Sequence, residues 1–331
     1  MNFLKNKVLF RCDAGYESEL GSGHLFRCLT IAKYLQVFNG IKSNEILFII
    51  KTGKKFENSI KILKNFSFKV CKIERDIKNY SRQEIDILKN FKADLIIIDR
   101  LGKVKKKFII NALKNFRRKV IIDDSSINRK LFDVSLNPLI TNVSKFKNSN
   151  IGKNYFISPV FFYKEKYFKN FNRGIFLYLG VTNNNLQIKK ILFKISRTTN
   201  LPIYLPIIYL KKLKNVKIEN KVIFYKIDEF YKYMYNSKFV IISGGMSFFD
   251  AMYFNKNIIC LPQYRHQENN INNYKNLSNV KIISTKKGNF EKKFAKVMNY
   301  FTKKDTGYKK ATKKIYKKKM KFTLNKISHL I

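Results

Sequence analysis

Short apolar runs recur along the chain, and the stretches between them place apolar residues three and four apart. "KVLFRC" (Lys7–Cys12), "EILFII" (Glu45–Ile50), "DLIIID" (Asp94–Asp99) and "KVIIDD" (Lys119–Asp124) read as strands buried on both faces. "HLFRCLTIAKYLQVF" reads as a helix with Leu25, Cys28, Leu29, Ala32 and Leu35 on one stripe. "KKKFIINALKNF" is a second helix, between the third and fourth runs. The pattern breaks across Ile157–Gly174, where Pro159 and Gly174 punctuate it.

The alternation then restarts. Strands are expected at Ile175–Gly180, Lys221–Lys226, Lys238–Gly245, in "KNIICLP" and in "VKIIST". "LPIYLPII" is a weaker strand because it carries prolines. Helices are expected in "NNLQIKKILFKIS", "IDEFYKYMYNS", "MSFFDAMYFN" and "HQENNINNYKNLSN". Strands alternating with helices predict an α/β protein built on parallel sheets. The expected domains are 1–160 and 174–300, joined by a linker at 161–173 and followed by a basic terminal segment at 301–331. Two doubly wound domains would face a cleft at the carboxyl ends of their strands.

Composition changes this picture little. The chain has 331 residues and 45% are hydrophobic, enough for two buried cores. No apolar run approaches the roughly 20 residues of a membrane span, and the short, charged N-terminus is unlike a secretory leader. A cytoplasmic protein is expected. Cys12, Cys28, Cys71 and Cys260 form no CxxC pair, so neither a disulfide framework nor a zinc site is indicated.

Charge changes it more. The formal net charge is +46. The lysines are spread along the chain and no nucleic-acid motif accompanies them, so no specific nucleic-acid partner is expected. The field still attracts nucleotides and anionic surfaces. The densest run, "TKKDTGYKKATKKIYKKKMKF" (Thr302–Phe322), reads as a helix able to make peripheral contact with an anionic membrane, or as a solvated terminal helix.

Three segments carry candidate chemistry. In "GSGH", Gly21, Ser22 and Gly23 follow a strand and open a helix, which suits an anion such as a diphosphate. His24 adds a titratable base at that turn, or simply caps the helix. In "SGGMSFFD", Gly244, Gly245, Met246 and Ser247 repeat the strand–glycine–helix pattern. Asp250 follows about one turn later, placed for a ribose diol or for an S-x-x-D cap with Ser247. In "RHQEN", His266, Gln267 and Glu268 offer polar groups for sugar hydroxyls or acetamido groups, or form an ordinary polar helix start.

Together these residues resemble the nucleotide-sugar hydrolases of pseudaminic acid biosynthesis and their spore-coat-polysaccharide relatives. The family opening is matched by Arg11, Asp13, Gly21, Gly23, His24, Arg27, Cys28, Leu29 and Ala32. An Ile-Asp-Asp segment with a following Asn-Pro is matched by Asp123, Asp124, Asn137 and Pro138. "NYFISPVFF" is similar to the family linker, with Ser158 in place of glycine. "SGGMSFFDAM…ICLPQYRHQENN" is similar to the nucleotide-binding half, which the lipid II-forming N-acetylglucosaminyltransferase shares.

The resemblance implies a GT-B fold of two Rossmann-like domains and hydrolysis of UDP-2,4-diacetamido-2,4,6-trideoxy-β-L-altrose to UDP and free sugar. It implies an inverting C–O cleavage with His24 as base and Asp13 as the second catalytic residue. Arg11, Gly21, Ser22, Gly23 and Arg27 would bind substrate phosphate. Gly180, Gly244, Gly245, Met246, Ser247 and Asp250 would bind the nucleotide. His266, Gln267 and Glu268 would bind the sugar. No cofactor or metal is implied. The chain departs from the family at Arg100 and Leu101, where Ser-Tyr is usual, and at Val181 and Asn183. A glycosyltransferase of the same fold is the alternative.

Overall fold

The expected alternation is present in a computed structural model of the chain, which describes residues 6–13, 22–100, 102–140, 142–163, 173–180, 185–213, 219–284, 289–303 and 310–331. Two units emerge. One comprises Met1–Phe161 with Lys318–Ile331, and the other Phe162–Lys317.

The first unit begins with β1 (Asn6–Cys12), α1 (Gly23–Asn39), β2 (Ile46–Lys51), α2 (Glu57–Asn65), β3 (Lys69–Ile73) and α3 (Arg82–Lys89). It continues with β4 (Ala93–Asp99), α4 (Lys106–Ala112), β5 (Phe116–Ile122), β6 (Val134–Asn137) and β7 (Ser149–Ile151). The described strands form a parallel sheet in the order β3-β2-β1-β4-β5-β6-β7. β1 pairs with β4 from Asn6 opposite Ala93 to Cys12 opposite Asp99. These two strands are nearly uniform apolar runs because helices cover both faces. One face buries Leu9, Ile49, Ile96, Ile98 and Ile121 against α3 and α4. The α1 stripe is buried as its spacing requires, and Arg27, Thr30, Ile31 and Tyr34 are buried with it. The helix is therefore enclosed over more than one face.

The second unit repeats the plan. It contains β8 (Ile175–Tyr178), α5 (Asn185–Ser196), β9 (Ile203–Pro206), β10 (Val222–Tyr225), α6 (Phe230–Asn236) and β11 (Phe239–Ile242). Then come α7 (Met246–Tyr253), β12 (Asn257–Cys260), α8 (Arg265–Ile271), β13 (Val280–Ile282) and α9 (Phe290–Lys303). Its described strands are parallel in the order β10-β9-β8-β11-β12-β13. β9 is an interior strand despite its prolines: Pro202 precedes it and Pro206 ends it, so neither removes a donor mid-strand.

Three regions differ from the sequence reading. Between Lys51 and Ala93 the chain forms α2, β3 and α3, none of them expected. α9 runs through residue 300, and Phe301 is fully buried in the second unit's core. The basic segment set apart at 301–331 therefore divides. Residues 301–303 finish α9, and a last helix, α10 (Lys310–Ser328), carries its final residues into the first unit. The linker expected at 161–173 begins at the unit boundary, and residues 164–172 lie outside the described ones. No described helix is long and apolar enough to cross a membrane.

Candidate functional site

In both sheets the strand order reverses direction beside the first strand of the unit, between β1 and β4 and between β8 and β11. Loops leaving the two strands on either side of such a point diverge, which opens a crevice at their carboxyl ends. Asp13, His24, Gly180, Gly244, Gly245, Met246, Ser247 and Asp250 follow the strands that flank these two points.

In the first unit, β1 leads to Asp13, β4 ends at Asp99, and β5 is followed by Asp123 and Asp124. His24 is the second residue of α1. Its Nδ1 lies 2.6 Å from Asp99 Oδ1. Asp99 is fully buried. Burial alone would raise its pKa, but the Arg27 guanidinium and His24 outweigh burial and hold the carboxyl below its ordinary value. An ionised carboxylate only accepts hydrogen bonds, so His24 Nδ1 carries the proton and donates it. That makes Nδ1 the donor, so that in the neutral ring Nε2 is the nitrogen with the lone pair, as in other carboxylate-oriented histidines. The His24 side chain is 12% exposed. The helix-cap alternative falls away: Ser22 is the N-cap, and it makes no side-chain cap bond.

Arg27 locks this pair. Its Nε and Nη2 donate to the two Asp99 oxygens at 2.9 and 2.6 Å, and its Nη1 donates to Asp123. Asp123 adopts φ 50° just after β5. Its other oxygen accepts from the Leu139 and Ile140 amides at 3.0 and 3.2 Å. Asp124 accepts from the Val104 and Ser126 amides, and Asn137 donates to the Asp124 carbonyl. The Ile-Asp-Asp and Asn-Pro segments are thus scaffold for Arg27 and Asp99.

A second buried network holds Asp13. Arg11 donates to both Asp13 oxygens at 2.6 and 2.9 Å and to Glu84 at 2.7 Å. Glu84 also accepts from Arg100 and from the Tyr80 amide. Burial would raise the Glu84 pKa, but Arg100, Arg11 and that amide hold it at about 2. Arg100 lies 4.1 Å over the Tyr80 ring. The departure from the family pattern at Arg100 is therefore built into the core.

These contacts place the two motif arginines. Arg11 and Arg27 are 0% and 1% exposed and are engaged by carboxylates. They hold Asp13 and, through Asp99, His24 in place. No described hydrogen bond joins Asp13 to His24. Asp99, by contrast, was read from sequence only as the end of a strand. Gly21 lies outside the described residues. Ser22 and Gly23 open α1, whose first amides have no partners within the helix.

In the second unit, the two glycines after β11 serve different ends. A side chain at Gly244 would meet Gln267 at 3.0 Å and Ile271 at 3.1 Å, so this glycine lets α8 pack close. A side chain at Gly245 would meet nothing within 4 Å. Gly245 is the N-cap of α7 and makes no side-chain cap bond, which excludes the S-x-x-D cap because Ser247 lies inside the helix. Met246 and Ser247 form the first turn. Asp250, one turn on, is 5% exposed. Across the switch point Gly180 takes φ 80°. Its carbonyl accepts from the buried Tyr209 hydroxyl at 2.8 Å, and that hydroxyl accepts from the Leu179 amide at 2.9 Å. Nothing local to Tyr209 announces this clamp, because its partners lie about 30 positions away.

The expected sugar cluster is only partly placed. Gln267 Oε1 accepts from the Gln263 amide at 2.9 Å, so Gln267 shapes the loop after β12. Glu268 is half-buried in the first turn of α8. The His266 side chain lies outside what is described.

No family model matches the chain, and no curated protein matches it. Solved structures do. MurG of Acinetobacter baumannii superposes with a TM-score of 0.56 at 14% identity, over 96% of this chain and 94% of that one. The glycotransferase of kitacinnamycin gives 0.63 at 10% identity, over 98% and 97%. A UDP-N-acetylglucosamine 2-epimerase gives 0.53 at 10% identity, over 98% and 94%. With the two parallel sheets, these likenesses show the GT-B fold.

Proposed function

We propose that the protein is a UDP-sugar-dependent GT-B enzyme that breaks the anomeric C–O bond with His24 as general base. The observation that carries this reading is the 2.6 Å contact between His24 Nδ1 and a buried, ionised Asp99. It leaves Nε2 able to take a proton from an acceptor hydroxyl. The acceptor oxygen then attacks the anomeric carbon while the C–O bond to UDP breaks, and the electron pair leaves on the diphosphate. Attack opposite the leaving group inverts the centre. Asp99 stabilises the imidazolium that forms.

The second unit supplies the nucleotide half in this reading. The open position at Gly245 and the first amides of α7 suit a diphosphate, with the Ser247 hydroxyl as a further donor. The Gly180 turn borders the same switch point. Asp250 is assigned to the ribose, and His266 and Glu268 to the sugar.

A glycosyltransferase, with a sugar or lipid hydroxyl as acceptor, fits the neighbours' folds most directly. A hydrolase, with water as acceptor, is favoured by one specific observation. Arg11, Asp13, His24, Arg27, Asp123, Asp124 and Asn137 carry the hydrolase resemblance, and all lie in the buried networks around the β1 and β4 ends. Phosphorus NMR of the protein with UDP-2,4-diacetamido-2,4,6-trideoxy-β-L-altrose and other UDP-sugars tests both. UDP release without acceptor supports hydrolysis of that sugar. Release only on adding a hydroxyl acceptor supports transfer. No UDP binding and no turnover with any donor overturns the proposal.

A further inference from the structure

We propose that the end of the first unit formed by α1 and the last turns of α10 is a docking surface for an anionic lipid bilayer. Four observations place it there. Val37 and Phe38 on α1 are 60% and 52% exposed, and Phe322 on α10 is 54% exposed. Lysines attend both rings: Lys321 Nζ lies 5.9 Å over Phe38 and Lys326 Nζ 4.9 Å over Phe322. Neither helix contains an acidic residue, and α10 carries eight lysines. The base beneath is fixed, because the buried Tyr34 stacks 4.3 Å from Phe38 and its hydroxyl donates to Asn325, while Asn39 and Ser328 exchange hydrogen bonds.

This chemistry matches an acidic membrane surface. Aromatic and aliphatic side chains enter the boundary between headgroups and acyl chains, and long lysines reach back to phosphate. Lys318 and Lys321, both exposed, add attraction to anionic headgroups. Two other occupants fit less well. A second copy of this chain would bring two surfaces of the same sign together, from molecules that each carry +46. A nucleic acid would use the ammonium groups, but bases stack on ring faces, and lysines cover faces here.

A charge this high draws the chain to any acidic vesicle whichever face leads, so the test must be positional. The full chain is co-sedimented with vesicles of phosphatidylcholine alone and of phosphatidylcholine with phosphatidylglycerol. Wild type is expected on the mixed vesicles. The double variant Phe38→Ser/Phe322→Ser is expected to lose at least about tenfold in partition, from the apolar area no longer buried. Phe193→Ser, at a 50% exposed position in the second unit, is the control and should change little. The chain has no tryptophan, so Phe322→Trp reports burial directly without a truncation that could unfold the helix. Its emission should shift to the blue with mixed vesicles and stay put with RNA, and Phe193→Trp should shift with neither. Equal loss for both serine variants, no blue shift at position 322, or the same shift with RNA would overturn the docking surface. None of these readings depends on turnover, so the proposed reaction stands or fails separately.

Discussion

The two switch points share a strand order and differ in almost everything else. At β1/β4 the sheet edge is crowded with ionised groups: two carboxylate–arginine networks, both buried, with one histidine reaching outward. At β8/β11 it is a backbone surface, with a glycine at φ 80° clamped by Tyr209 and a helix N-terminus behind an empty position at Gly245. The contrast follows from the work each edge is proposed to do. A base must be held in one tautomer and orientation, and a buried carboxylate held by an arginine does that here. A diphosphate needs close approach and donors, which backbone amides supply once no side chain stands in the way.

Removing the outward histidine attacks the first edge at its chemistry. His24→Ala is expected to lower turnover by about a thousandfold, within the range general-base catalysis supplies, while the UDP dissociation constant stays within a factor of two or so. Steady-state kinetics and calorimetric titration with UDP measure the two. A comparable loss of UDP affinity would mean that the two edges do not divide the labour as argued.

Glu84→Gln attacks the same edge at its scaffold. The variant leaves Arg11 and Arg100 sharing a neutral amide in the core, so about 3 kcal/mol of stability should be lost near neutral pH. The sign with pH is fixed by the depressed carboxyl. Its stabilisation is complete above the unfolded value near 4.3 and disappears as pH falls through the folded value of about 2. Urea titrations should therefore show the gap between wild type and variant closing across that acid window. A gap independent of pH would mean that packing around Tyr80 and Phe108, and not charge, holds Arg100 in place.

The difference between the edges also explains what the sequence disclosed. Glycine turns and strand ends are local, so the strand–glycine–helix turns at His24 and at Gly244 and Gly245 are legible from a few residues each. Partners are not local. Asp99 lies 75 positions from His24, and Glu84 lies 73 from Arg11, and nothing in "DLIIID" or "RQEIDILK" says which basic group each meets. Nor do the motifs around Arg11 and Arg27 say which carboxylates these arginines meet. Among the elements, β3 escaped notice because it is a half-exposed edge strand with lysines at both Lys69 and Lys72. α9 shows its apolar spacing only once lysine is discounted, through Phe290, Phe294, Val297, Met298 and Phe301.

A buried lysine in the second unit sharpens the comparison, because the partner described for it is a backbone carbonyl. Lys256 is 5% exposed and donates to the Ser237 carbonyl at 2.7 Å. Burial pushes it down to about 7. A lysine lowered on folding costs stability wherever the unfolded chain holds the extra proton. The cost is full below about 7 and fades as pH rises toward the unfolded value near 10.4. Lys256→Met should accordingly be more favourable, relative to wild type, at pH 8.5 than at pH 10, by about 2 kcal/mol. Thermal or urea unfolding at the two pH values measures it. No change in the difference would show that Lys256 is solvated in a way its burial does not suggest.

The smallest expected effect bears most directly on the second edge. Gly245→Ala adds one methyl group where nothing lies within 4 Å, and the backbone there has φ −97°, which alanine adopts without strain. The fold should tolerate it, with stability unchanged to within about 0.5 kcal/mol. Gly244→Ala, by contrast, would press on Gln267 and Ile271 at about 3 Å and should destabilise the packing of α8. If the space at Gly245 is where a diphosphate approaches the amides of α7, the methyl group displaces it, and UDP affinity should fall about tenfold, or roughly 1.4 kcal/mol. His24 and its carboxylates would be untouched, so the rate at saturating donor should hold. The pair of variants separates a glycine kept for packing from a glycine kept for a ligand. A Gly245→Ala protein that binds UDP as wild type does would place the nucleotide elsewhere and leave this edge with structure but no assigned chemistry.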